Sequence, residues 1–130
     1  MASLLVLLLA YGPYQATVID IIAPGVLRLE VTVWPDVTRL VEFRLDNIES
    51  PRLTGLCESE QLLAQEALDF TRSLVGKTVV ISRVHKEIAW FGGQVRTPEG
   101  ADLATQLINT GYAVLNSKSQ PPSTHAWCTP

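Results

Sequence analysis

The two cysteines of the chain, Cys57 and Cys128, are the residues with the most defined chemistry. They are not spaced as C-x-x-C, so a redox dithiol is not expected. If they pair with each other, the bond closes a long loop and stabilises the fold by about 4 kcal/mol. Such a bond requires an oxidising compartment or a virion-like exterior. Two unrelated thiols are equally compatible with the residues at this point.

Sequence motifs that define common enzyme classes are missing. The chain has no G-x-S-x-G, no H-E-x-x-H and no glycine-rich phosphate loop. His125 lies three residues before Cys128, but two ligands in a tail are too few for a zinc site. His85 is predicted to be a solvated loop residue. The sequence therefore predicts no metal site and no cofactor.

The charge of the chain limits the partners that it can bind. Ten basic and thirteen acidic residues give a net charge of −3. A generic nucleic-acid binder is disfavoured, because phosphate binding depends on clustered Lys and Arg. Three aromatic residues, Trp34, Trp90 and Phe91, are candidates for stacking on the bases of a single strand. Without a basic groove, packing in a hairpin or a core is the simpler expectation for them.

The N-terminal segment is the most apolar stretch of the chain, running from Ser3 to Ala10. It is shorter than the roughly 20 residues that span a bilayer as a helix. Three interpretations are open: a degenerate signal peptide without Lys or Arg, an element of the domain's own core, and an arm that docks on a partner. The residues expected to contact that partner are Leu4, Leu5, Val6, Leu7 and Leu8.

Hydrophobic alternation predicts three strands in the first half of the chain. Apolar and polar residues alternate with the period of a half-buried strand, and Pro or Gly marks each turn. The second half contains two further strands, of which the last is interrupted by Gly92-Gly93. The predicted strands are 16–22, 26–34, 38–45, 78–84 and 88–97.

Two helices follow the third and the fifth strands. In the segment 59–75 the apolar residues fall at helical spacing, with Glu58 and Glu60 at the N-terminal end and Gly76 after its end. A shorter helix is predicted at 101–110. The order predicts an α+β protein that is mainly β, with a five-stranded barrel of the OB type. We divide the chain into an arm or signal segment at 1–15, a barrel domain at 16–116 and a tail at 117–130.

Four stretches between about Ala16 and Val114 carry a family resemblance. They are Ala16-Thr17-Val18-Ile19; Phe43-Arg44-Leu45 with Ile48-Glu49-Ser50-Pro51; Phe70-Thr71 with Leu74-Val75; and Glu99-Gly100 with Leu103, Leu107-Ile108 and Gly111-Tyr112-Ala113. In this order they resemble the staphylococcal nuclease (thermonuclease) family. The resemblance implies a barrel that hydrolyses phosphodiesters with Ca²⁺.

Further residues resemble a subgroup of exported bacterial homologues. They are Tyr11-Gly12-Pro13-Tyr14, Trp34-Pro35, Cys57 and Trp127-Cys128. The resemblance implies a disulfide between Cys57 and Cys128. It also implies an exported protein, periplasmic or extracellular, or one on the exterior of a virion-like assembly.

The positions that match the family's metal ligands are largely substituted. The D-G-D turn of the family corresponds to Ala23-Pro24-Gly25, which has no carboxylate. The second metal aspartate corresponds to Glu49, and the threonine that offers its carbonyl corresponds to Ser50. One carboxylate and one carbonyl are too few ligands for Ca²⁺. Asp20 and Asp46 are candidate substitutes, but one falls within a predicted strand and the other ends one.

The positions that match the family's charged catalytic groups are also changed. The water-activating glutamate corresponds to Arg52, which reverses the charge. The first arginine is kept as Arg44, whereas the second falls at Trp90 or Phe91. With Glu49, the two arginines are expected to form either an ion-pair cluster across the former cleft or a solvated surface trio.

These substitutions predict a nuclease-like barrel without catalysis, used as a structural or protein-interaction module, with its N-terminal arm on a partner in a bacterial or phage assembly. The remnant cleft is Arg44, Glu49, Ser50 and Arg52. One alternative is a Ca²⁺-dependent nuclease with a rebuilt site, which would need Ca²⁺ as its cofactor. Another is a binder of single-stranded nucleic acid.

Overall fold

A closed barrel forms the centre of the protein, which we describe from a computed structural model covering residues 13–116 and 127–128. Its strands follow the order β1, β2, β3, β6, β5 and close back on β1. The pairing of β3 with β6 is parallel and every other pairing in the barrel is antiparallel. The strands are β1 (Tyr14–Ala23), β2 (Val26–Trp34), β3 (Val37–Leu45), β5 (Thr78–Lys86) and β6 (Phe91–Arg96).

The remaining elements lie between and after these strands. A two-stranded sheet joins β4 (Ile48–Glu49) to β7 (Val114–Leu115), and the helices are α1 (Glu58–Arg72) and α2 (Leu103–Asn109). The predicted class, mainly β with two helices around a five-stranded barrel, is therefore confirmed, and the barrel is OB-like. The predicted first helix ends three residues after α1 does, and the predicted second helix and fifth strand are longer at both ends than the observed ones. The short strands β4 and β7 were not predicted.

Apolar side chains that face inward at every second strand position form the core of the barrel. On β2 the inward residues Leu27, Leu29 and Val31 are buried, and the residues between them are exposed. The strand β3 is buried in the same alternating way at Phe43 and Leu45. Both helices then add apolar side chains to this core, namely Leu68 of α1 with Leu74 after its end, and Leu103 and Leu107 of α2.

The last two barrel strands contain an irregularity that the sequence indicated only in part. The interruption expected at Gly92-Gly93 does not break β6, which runs through both glycines, and the irregularity is instead a register shift between Ser82 and His85 on the facing strand β5. Gly93 lies opposite this shift. Because the strand continues past the bulge to Lys86, His85 lies on a strand, and its prediction as a loop residue was wrong.

A disulfide joins Cys57 to Cys128, as the resemblance implied. It connects residues 71 positions apart, so it closes a loop whose restriction in the unfolded chain is worth about 4 kcal/mol. The arm residues Leu4, Leu5, Val6, Leu7 and Leu8 lie outside the described residues, as do His125 and most of the predicted tail. Within the described part of the chain, neither helix is long and apolar enough to cross a membrane.

Candidate functional site

A surface cleft of about 380 Å³ opens between the β1–β2 turn and the segment that leads from β3 to α1. Pro24-Gly25 lines one side, and the hydrogen bond from the Leu45 N–H to the Gly25 carbonyl, 3.0 Å, fixes this turn against the end of β3. Arg44, Ser50 and Arg52 line the cleft as well. The structure therefore brings three of the four predicted cleft residues together.

The charged groups in the described lining of this cleft are all basic. The lining contains the two guanidinium groups of Arg44 and Arg52, and no described lining residue carries a carboxylate. Glu49, the fourth predicted residue, is a half-buried residue of β4 that pairs with Val114 and does not belong to the lining. A hard dication needs several oxygen ligands, whereas these groups suit an anion.

Arg44 is held by two neighbours on the surface. Its Nη2 lies 2.9 Å from Oε2 of Glu42, and its Nε donates to the same oxygen over 3.0 Å. The guanidinium carbon also lies 4.9 Å from the centroid of the Trp90 ring. The Trp90 ring therefore forms an aromatic platform for the Arg44 guanidinium.

Arg52 is anchored on a buried carboxylate that the sequence analysis did not assign to the site. Glu60 is only 1% exposed. One of its oxygens accepts a hydrogen bond from the Arg52 backbone N–H at 2.9 Å and lies 3.4 Å from Arg52 Nε, and the other accepts from the Leu56 N–H at 3.0 Å. Both the backbone and the side chain of Arg52 are thus directed to this carboxylate.

The environment of Glu60 keeps its carboxylate ionised. Burial by itself raises the pKa of Glu60, but the backbone hydrogen bonds from Arg52 and Leu56, and then the Arg52 guanidinium, lower that pKa below its ordinary value. Gly55 lies directly against the side chain, since a Cβ there would come within 2.4 Å of Glu60 Cδ. Only glycine leaves room for the carboxylate at this position.

The start of α1 explains why Glu60 can take this position. Cys57 is the N-cap, and its Sγ accepts from the Glu60 backbone N–H over 3.4 Å. Glu60 is the third residue of the helix, the position from which an acidic side chain reaches back in a capping box. Here it reaches past the cap to Leu56 and Arg52. The C-x-x-E spacing is the signal in the sequence that would have identified it.

The disulfide lies over the same carboxylate. Sγ of Cys128 is 3.9 Å from Oε1 of Glu60, so the bridged cysteines form part of its apolar cover. The side-chain amide of Gln61 donates to the Gly55 carbonyl at 2.9 Å and ties the helix to the preceding loop. One buried acid and one covalent bond therefore fix the segment that carries Arg52.

A second hydrogen-bonded pair that was not predicted joins His85 on β5 to Asp46, which follows β3. His85 Nε2 is 2.8 Å from Oδ1 of Asp46, and His85 Nδ1 is 3.3 Å from Oε2 of Glu87. The hydrogen bond to Asp46 is the main reason why the pKa of His85 is raised, with a further contribution from Glu87, although burial acts against it. A Cβ on Gly92 would come within 2.5 Å of the imidazole, so a larger residue there would displace His85 from its present position.

The carboxylates proposed as metal substitutes are engaged elsewhere. Asp46 is bonded to His85, and Oδ1 of Asp20 accepts from the Ile21 N–H at 2.8 Å on the outside of β1. Neither residue lines the cleft. In residues 13–116 and 127–128, no three His, Cys, Asp or Glu side chains form a group that could hold a metal ion.

No protein-family model matches the sequence, and no curated protein matches it either. The geometry of the cleft and the resemblance of the residues are therefore the basis on which a function can be proposed.

We predict that Glu60→Gln destabilises the fold by about 2 kcal/mol at neutral pH, because an amide cannot replace a buried carboxylate that accepts several hydrogen bonds. The folded pKa of Glu60 is lowered from 4.5, so its stabilisation is complete above pH 4.5 and is lost as the pH falls through the folded pKa. Urea unfolding of both proteins across this range measures the difference.

The matched control is Glu58→Gln, since Glu58 is the other acidic residue of the first helical turn and is exposed. We expect this variant to unfold within about 0.5 kcal/mol of the wild type at every pH. An equal effect of the two substitutions, or a Glu60→Gln effect that does not shrink in acid, contradicts the role assigned to Glu60.

Proposed function

We propose that the chain is a nuclease-like barrel that does not cleave nucleic acid and that acts as a structural or protein-interaction module. The observation that carries this proposal is the composition of the cleft. Where the resemblance would require carboxylates around a dication, the described lining offers two guanidinium groups and a Pro-Gly turn. The barrel residues are kept while the reactive positions are replaced.

Arg52 cannot carry out the chemical step that the matching glutamate of the family would perform. Activating a water molecule requires a group that can accept a proton, and a guanidinium cannot do so at any ordinary pH. The side chain is also directed towards Glu60, whose oxygens accept from Arg52 and Leu56. The nearby acid is thus ionised but buried, so it is not presented to a substrate.

The alternative of a Ca²⁺-dependent nuclease needs ligands from outside this lining. Asp20 and Asp46 are the candidates, but Asp46 is occupied by His85 and neither residue reaches the lining. The alternative of single-strand binding would use the rings of Trp34, Trp90 and Phe91, none of which lines the cleft. Arg44 already covers Trp90, and Arg39 lies 5.3 Å from the Phe91 centroid, so a base would have to displace a cation from either ring.

The disulfide supports an exported location for this module. A bond between Cys57 and Cys128 persists in an oxidising compartment and is rare in the cytosol. We therefore expect the protein in the periplasm, outside the cell or on the exterior of an assembly. Its partner is a protein, and the contact is made by the apolar residues Leu4 to Leu8.

We predict that the purified protein does not cleave plasmid or single-stranded DNA, whether Ca²⁺ or a chelator is present. Gel electrophoresis over a time course measures this. The control is Arg44→Gln, which removes the remaining family arginine without disturbing the core. Cleavage by the wild type that stops on chelation and is lost in Arg44→Gln would show a working site and would contradict the proposal.

We predict that deletion of residues 1–10 abolishes association with the partner and leaves the barrel folded, because β1 begins only at Tyr14. Light scattering with size-exclusion chromatography measures self-association, and co-purification from the native source measures another partner. The urea midpoint should stay unchanged. Association that persists in the shortened chain would show that the arm is not the contact.

A further inference from the structure

A second pocket, of about 220 Å³, opens at the end of the barrel opposite the cleft. There β1 and β3 begin and β2 ends, whereas the cleft lies where β1 and β3 end. All its described lining residues belong to the five barrel strands, and none belongs to a helix. The walls are mostly apolar and include Tyr14, Val31, Val41, Phe43, Ile81 and Phe91.

An exposed cation lies at the mouth of this pocket. On β3 the inward residues are Leu45, Phe43 and Val41, and the same two-residue period continues to Arg39. Arg39 lines the pocket, and its guanidinium lies 5.3 Å from the centroid of Phe91. A position that normally carries an apolar side chain thus carries a positive charge at the mouth of the barrel.

The described lining of this pocket contains basic groups and no carboxylate, and two acids, Glu42 and Glu87, line a neighbouring groove that shares Arg39 and Lys86. Lys86, the last residue of β5, lines it beside Arg39, and Lys86 pairs with Phe91 across the two strands. Among the described residues neither cation forms an ion pair with a carboxylate, and the described lining contains no acid. His85 also lines the pocket, but its charge is matched by Asp46 and Glu87.

We propose that this pocket binds a small apolar anion, namely an alkyl or aromatic chain that ends in a carboxylate. The chain lies against the apolar walls, and the carboxylate pairs with Arg39 and Lys86. Charge complementarity favours this occupant, because two basic side chains meet in this pocket although the protein as a whole has a net charge of −3. A free inorganic anion would leave the apolar walls unused, and a neutral hydrocarbon would leave the cations unpaired.

The size of the pocket restricts the length of the ligand. Its volume of about 220 Å³ is below the roughly 300–1,000 Å³ of pockets that hold drug-sized molecules. A short chain such as octanoate is therefore a suitable probe. The site does not depend on the proposed function, because it shares none of the four cleft residues and lies at the other end of the strands.

The site is tested by isothermal titration calorimetry of the full chain with sodium octanoate. The octanoate is kept below the concentration at which it forms micelles. We expect saturable binding of one molecule, weakened at least about tenfold in Arg39→Met, which keeps a flexible unbranched stem and removes the charge. The matched control is Arg28→Met on the outward face of β2, which should bind like the wild type. Octyltrimethylammonium, with the same tail and the opposite charge, should bind at least about tenfold more weakly.

Three results would overturn the proposal. The first is the absence of saturable octanoate binding to the wild type. The second is a lack of charge recognition, which would indicate apolar adsorption. It would be seen as equal binding of the anionic and cationic probes, or as equal effects of Arg39→Met and Arg28→Met. The third is a dimer that dissociates in Arg39→Met while octanoate does not bind, because the occupant would then be a second copy of the chain.

Discussion

The buried carboxylate of Glu60 is the interaction on which the cleft depends. It lies at the start of α1 with almost no exposure, and an isolated charge there would be costly to bury. The cost is offset because the N–H groups of Arg52 and Leu56 and the Arg52 guanidinium all converge on its two oxygens. Because these donors belong to the loop before the helix, their hydrogen bonds to the Glu60 carboxylate fix the path of that loop.

Several other residues make the burial of the Glu60 carboxylate possible. Gly55 provides the space that the carboxylate occupies, and Cys57 caps the helix while its bond to Cys128 covers the site. The result is that Arg52 is presented at the cleft as a fixed part of the wall. A flexible acid at this position could turn to a metal or a water molecule, but a guanidinium held by a buried acid cannot take over that chemistry.

The fold was largely predictable because its signals are local. Alternation on β2 and β3 and the helical spacing in α1 depend on neighbours within a few residues, and these strands and helix were predicted in the right order. Extending the inward set of Phe43 and Leu45 by two more steps would also have placed Arg39 at the barrel mouth. The short strand β4 has only two residues and no period of its own to detect.

The site was less predictable because its contacts join distant segments. The pairing of Asp46 with His85 spans 39 positions and depends on a bulge in β5 and on the space left by Gly92. The sequence places Glu60 at the helix start, but nothing local in it shows that the side chain turns inward. Arg44 and Arg52 were expected to form an ion-pair cluster or a solvated trio with Glu49, whereas the described ion pairs of these arginines are with Glu42 and Glu60.

The cleft is not expected to hold a dication, because its described lining has no carboxylate and contains a Pro-Gly turn and the Arg52 guanidinium. The most direct measurement is a Ca²⁺ titration of the isotope-labelled protein, followed through the backbone amide signals of Gly25, Ser50 and Arg52. The account predicts no saturable shift of these signals up to millimolar Ca²⁺. A saturable shift confined to these residues, and reversed by a chelator, would contradict it.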